Sequence, residues 1–76
     1  MQAPQIEQMI ASGLPGAEVE VKGDDGVHFE AVVVSEAFRG KSILEQHRMV
    51  YATLGDNVEN AAIHALALKT RVPTAA

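Results

Sequence analysis

Apolar residues near the start of the chain fall at Ile6, Met9, Ile10 and Leu14, the three- and four-residue spacing that lines one face of a helix. Pro4 suits a first helical turn, and Gly13 with Pro15-Gly16 can end the helix after about three turns. The period then changes to two. Val19 and Val21 alternate with Glu18, Glu20 and Lys22, which predicts a half-buried strand. Gly23-Asp24-Asp25-Gly26 reads as a hairpin turn, because Gly and Asp tolerate positive φ. A second strand, His28 to Val34, carries a continuous valine run that predicts burial on both sides at its far end.

Ser35 can cap a short helical turn, Ser35 to Phe38, that breaks at Arg39-Gly40-Lys41. A second cap follows at once: Ser42 and Glu45 fit a capping box, in which each side chain bonds the other's backbone N–H. From there Ile43, His47, Val50, Tyr51, Leu54 and Val58 trace one helical face, which Gly55 and Asp56-Asn57 end. Ile63 to Thr70, IHALALKT, is the last strand, and the tail from Arg71 onward is loose, with Pro73 blocking further pairing. The expected order is α-β-β-α-α-β. It gives an α+β sandwich of two layers, with the helices on one face of a mixed three-stranded sheet. The second and third strands are joined through the helices and are therefore expected to be parallel. One domain over residues 1–72 and a flexible tail at 73–76 account for the whole sequence.

Composition narrows the function. A chain of 76 residues supports one small core. With no cysteine it offers neither a disulfide framework nor a thiolate ligand or nucleophile. The first residues lack the basic and apolar regions of a secretory signal, and no apolar run approaches the roughly 20 residues of a membrane span; a cytoplasmic protein is the expectation. A net charge of −4 argues against strong non-specific attraction to nucleic acid.

Three histidines carry the candidate chemistry. If the second and third strands are parallel, His28 and His64 open them at the same end of the sheet. As neighbours about 4.8 Å apart, those strands would let both imidazoles approach one ion. His64 shares side-chain parity with Leu66 and Leu68, on the side expected to face the helices. A histidine at a strand start can equally be a hydrogen-bonded structural residue. His47, amid the apolar face of the long helix, is expected to be a packed, neutral core residue. Two histidines leave a tetrahedral metal site incomplete, so the remaining ligands would come from a partner; iron bound by two imidazoles has precedent in Rieske centres. Asp24 and Asp25 are either oxygen ligands or a solvated turn. Arg39, Gly40 and Lys41, before a helix start with free N–H groups, form a candidate phosphate or nucleic-acid site. No nucleophile elbow, Walker loop or dinucleotide fingerprint is present, and no enzyme is expected.

The segment from Phe38 to Leu54, FRGKSILEQHRMVYATL, followed by IHALALKT, resembles the BolA family, and the second strand, HFEAVVVS, is similar to that family's second strand. The resemblance implies a fold similar to class II KH domains and a partnership with a monothiol glutaredoxin. In that pairing a [2Fe–2S] cluster is shared by the two proteins and glutathione, with none expected in the isolated chain. It places the family's shared ligand on His64 and a second on His28, with Arg48, Lys69 and Arg71 available to the partner surface. Bacterial members are also described as DNA-binding transcriptional regulators, which makes DNA the alternative partner, held by the Arg39-Gly40-Lys41 turn. The free chain is expected to be a monomer or a weak homodimer.

Overall fold

The computed structural model describes residues 2–23, 25, 28–55 and 65–74. Helix α1 (Ala3–Gly13) has its proline in the first turn, and the Gln2 N–H, which no helix carbonyl can reach, donates to the Gln5 side-chain Oε1 at 2.7 Å. Ile6 and Ile10 are fully buried and Met9 and Leu14 pack beside them, so the spacing read from the sequence is the one that packs. Strands β1 (Glu18–Lys22) and β2 (His28–Val34) follow, then a 3₁₀ turn at Glu36–Phe38, helix α2 (Ile43–Leu54) and strand β3 (Ala65–Arg71). The order is α-β-β-α-β in an α+β fold. The segment expected to be a short extra helix closes only the 3₁₀ turn. Its cap is the expected one, Ser35 Oγ accepting from the Ala37 N–H at 3.1 Å, but Gly40 at φ +79° redirects the chain before a full α-turn can form.

The sheet order is β1-β2-β3, with β1 antiparallel and β3 parallel to β2. Register and pleat put Val19, Val21, Phe29, Ala31, Val33, Leu66 and Leu68 on the face that meets the helices. Val32 and Val34 point the other way and are half-buried; the burial on both sides expected for the valine run is not reached, because both helices pack on one face only. β3 includes Arg71, whose carbonyl accepts from the Ser35 N–H at 3.0 Å. The strand therefore ends one residue later than its sequence suggests.

Helix α2 is turned about its axis relative to the expected face. Gln46, Val50 and Leu54 are buried, whereas Ile43 and Leu44 are 63% and 59% exposed and Tyr51 is 36% exposed. His47 is half-buried and lies outside the core, which corrects its expected role; Val58 lies outside the described residues. The cause is Gln46. Its Nε2 donates to the Lys41 carbonyl at 2.9 Å and its Oε1 accepts from Thr70 Oγ1 at 2.7 Å, so the buried amide is satisfied and ties the helix to β3.

The capping box forms as expected: Ser42 Oγ accepts from the Glu45 N–H at 3.1 Å, and Glu45 Oε1 accepts from the Ser42 N–H at 3.0 Å. Hydrogen bonding from the Ser42 backbone first, and from the Ser42 side chain second, holds the Glu45 carboxyl below its ordinary value. A depressed carboxyl stabilises above its unfolded pKa and ceases to do so as pH falls through the folded value, so the box is lost in acid. Ser42→Ala is expected to cost about 1 kcal/mol, measured as a lower urea midpoint with an unchanged slope.

Candidate metal-ligand rim and basic turn

The parallel pairing of β2 with β3 makes them neighbours, the condition under which two strand-opening histidines reach one rim. Register sets His28 opposite Ala65, the residue that follows His64 in the sequence. His64, like Asp24, lies outside the described residues.

His28 is held by the hairpin that precedes it. Asp25 Oδ1 accepts from the His28 N–H and Oδ2 from its Nδ1, both at 2.8 Å. An ionised carboxylate can only accept, so the proton of the neutral ring sits on Nδ1 and the Nε2 lone pair stays available to a ligand. The side chain is 73% exposed. Metal-bound imidazoles commonly show this arrangement, with the second ring nitrogen donating to a carboxylate. Asp25 is therefore the residue that sequence reasoning placed in a different role: it orients the ligand candidate. The signal was an Asp three residues before the His at a hairpin, since Asx side chains bond nearby backbone N–H groups.

Gly23 fixes the same corner. A Cβ there would lie 2.5 Å from Phe29 Cδ1 and 2.7 Å from the His28 carbonyl oxygen, so only glycine allows the chain to pass so close. A shallow concavity beside His28 is lined by Lys22, Asp25, Phe29, Glu30 and Ala67. Among the described residues no three His, Cys, Asp or Glu side chains are grouped to hold a metal ion.

The turn into α2 is differently balanced from its sequence expectation. Arg39 is paired with Glu36, through Nε to Oε1 and through Nη2 to Oε2 at 3.0 Å. That hydrogen bonding lowers the Glu36 pKa and raises that of Arg39. The N–H groups expected to be free at the helix start are partly taken by the capping box, which also places the Glu45 carboxylate there. Gly40 has a left-handed backbone. Glu36 and Glu45 thus offset Arg39 and Lys41. The remaining cations do not form one surface: Arg48 is exposed on α2, in the helical layer, while Lys69 and Arg71 are exposed on the helix-free face of β3.

A family model described as BolA-like protein matches residues 10–75. The chain is 44% identical over 68 residues to Protein BOLA2 of Arabidopsis thaliana, covering 86% of this chain and 71% of that one. It is 46% identical over 43 residues to the DNA-binding transcriptional regulator BolA of Escherichia coli K12, covering 57% of this chain and 40% of that one. A solved structure of a bolA protein homologue from Coxiella burnetii has a TM-score of 0.83 and 43% identity, covering 96% of this chain and 92% of that one.

Proposed function

The chain belongs to the BolA family, and on that footing we propose that it is a non-enzymatic partner of a monothiol glutaredoxin, giving His64 and His28 as ligands to a [2Fe–2S] cluster shared with that protein and glutathione. The observation that carries this reading is the Asp25–His28 pair at the rim, beside β3, whose first described residue, Ala65, follows His64 in the sequence. Imidazole is a known ligand of [2Fe–2S] iron. With no cysteine in the chain, the thiolates come from glutaredoxin and glutathione. When bound, the cluster supplies a redox-active iron–sulfur unit for transfer or sensing. This chain presents nitrogen ligands, and Asp25 holds His28 in the tautomer that can bind. Action in the cytoplasm, in cluster trafficking or iron-linked regulation, is part of the proposal; no helix among the described residues is long and apolar enough to cross a membrane.

The test is a titration of cluster-loaded monothiol glutaredoxin and glutathione with this protein, followed by visible absorption and circular dichroism. A new cluster spectrum that saturates at one equivalent is expected. A spectrum that stays unchanged through an excess contradicts the reading.

DNA binding through Arg39, Gly40 and Lys41 is the second reading, favoured by the similarity to the Escherichia coli regulator. Glu36 and Glu45 beside the turn count against it, because they repel phosphate. Under that reading affinity falls steeply with salt and is indifferent to His64→Ala.

A further inference from the structure

The face of the sheet turned away from the helices carries a charge pattern of which only the row next to the rim, Lys22–Glu30–Ala67, borders the concavity beside His28. Across β1, β2 and β3 its three full rows are Lys22–Glu30–Ala67, Glu20–Val32–Lys69 and Glu18–Val34–Arg71. In the last two rows one edge is acidic, the other is basic, and the centre is a half-buried valine with no layer over it. Glu18, Glu20 and Glu30 balance Lys22, Lys69 and Arg71 on this face, although the chain as a whole carries −4. Lys69 and Arg71 make no ion pair among the described residues. Glu20 has an exposed contact to Lys22 at 3.2 Å, of a kind that contributes little.

From this pattern we propose that the open face binds a second copy of the chain, about a two-fold axis running along β2. That rotation keeps each row level with itself and exchanges the two edges, so β1 of one copy lies over β3 of the other. Glu20 then meets Lys69 of the second copy, Glu18 meets its Arg71, and both contacts occur twice around four central valines. Aligned sheets pack about 10 Å apart, a gap that Glu, Lys and Arg side chains can bridge. The alternative in-plane axis, across the strands, lays β1 on β1 and β3 on β3. Centred on the Glu20 row, it sets Glu20 on Glu20 and Lys69 on Lys69 and gains only the Glu18–Lys22 contacts, so charge favours the first arrangement. A patch complementary to itself under a two-fold rotation is what a closed dimer requires.

The same geometry limits the strength of the dimer. Three strands about 4.8 Å apart and three rows deep cover on the order of a few hundred Å² per copy, below the usual specific interface. The dimer is therefore weak, concentration-dependent and sensitive to salt. Glu30 lies on the axis and faces its own copy, a like-charge contact that opposes association.

Sedimentation velocity of the full chain over a concentration series, at low and high salt, tests the arrangement, with circular dichroism confirming that each variant is folded. Wild type is expected to move from monomer toward dimer with concentration, and less so in high salt. Glu30→Gln is expected to associate several-fold more tightly, and Glu20→Lys about tenfold or more weakly. Adding Lys69→Glu to Glu20→Lys is expected to restore association. Two results overturn the proposal: wild type and Glu30→Gln both remaining monomeric throughout, which assigns the face to a different partner, or a charge exchange that fails to restore the dimer.

Discussion

Truncating Phe38 to alanine is expected to lower stability by about 3–5 kcal/mol, the largest loss from any core substitution among the described residues. The ring is fully buried and, among the described residues, heads the side chains that are wholly enclosed, ahead of Ile6, Ile10, Leu54, Val33 and Val50. It sits at the end of the 3₁₀ turn, where the Phe38 carbonyl accepts from the Lys41 N–H at 3.0 Å, so one residue anchors both the core and the turn into α2. Domains are stable by about 5–15 kcal/mol in total, and a chain this short buries a smaller fraction of its surface than larger domains do. The cavity would consume a large part of that margin. Urea denaturation checks it: a much lower midpoint, or a chain unfolded in buffer, is the expected outcome. A loss below about 1 kcal/mol would mean that the ring does not carry the core as described.

Replacing His64 with alanine is expected to abolish the new cluster spectrum formed with glutaredoxin, while the two apoproteins still associate. The chain has no thiolate to take over the vacated position, and a methyl group donates nothing to iron. His28→Ala removes the other nitrogen and should leave a labile cluster. Asp25→Asn is the graded case. The amide oxygen can still accept from Nδ1, but without the carboxylate's charge, and loss of such supporting partners costs about 10–100-fold in metal affinity. The expected order of cluster retention is wild type, Asp25→Asn, His28→Ala, His64→Ala. Full retention in His64→Ala would remove the shared-ligand account and leave an adaptor that binds glutaredoxin without touching its cluster.

Much of this architecture was legible in the residue pattern because the signals are local. The alternation of Val19 and Val21 with acids, the spacing of Ile6 and Ile10, and the Ser42–Glu45 pair each depend on residues within a few positions, and each packs or bonds as its spacing implies. The face of α2 was legible only in part: Val50 and Leu54 are buried as expected, but Ile43, Tyr51 and His47 are not in the core. Hydropathy favours Ile43 and Tyr51 over Gln46, yet Gln46 is buried because Thr70, 24 residues away, supplies the hydroxyl that satisfies it. A polar residue becomes a core residue only when the fold brings it a partner, and helical periodicity cannot anticipate that. Asp25 is a different case: its contact with His28 is local, three residues apart, and the spacing carries a signal, but in sequence it is one of two acids in a turn and reads as a ligand or a solvated residue. The charges of the open face were visible one by one, while their arrangement in rows depends on the register of three strands.

The most direct test of the central claim is pulsed electron paramagnetic resonance of the reduced cluster complex, prepared with this chain labelled with ¹⁵N only at histidine and with unlabelled glutaredoxin and glutathione. Strongly coupled ¹⁵N from directly ligating imidazole is the predicted result, lost in His64→Ala. A cluster signal with no strongly coupled ¹⁵N would contradict the account, because it would show iron held without any histidine of this protein.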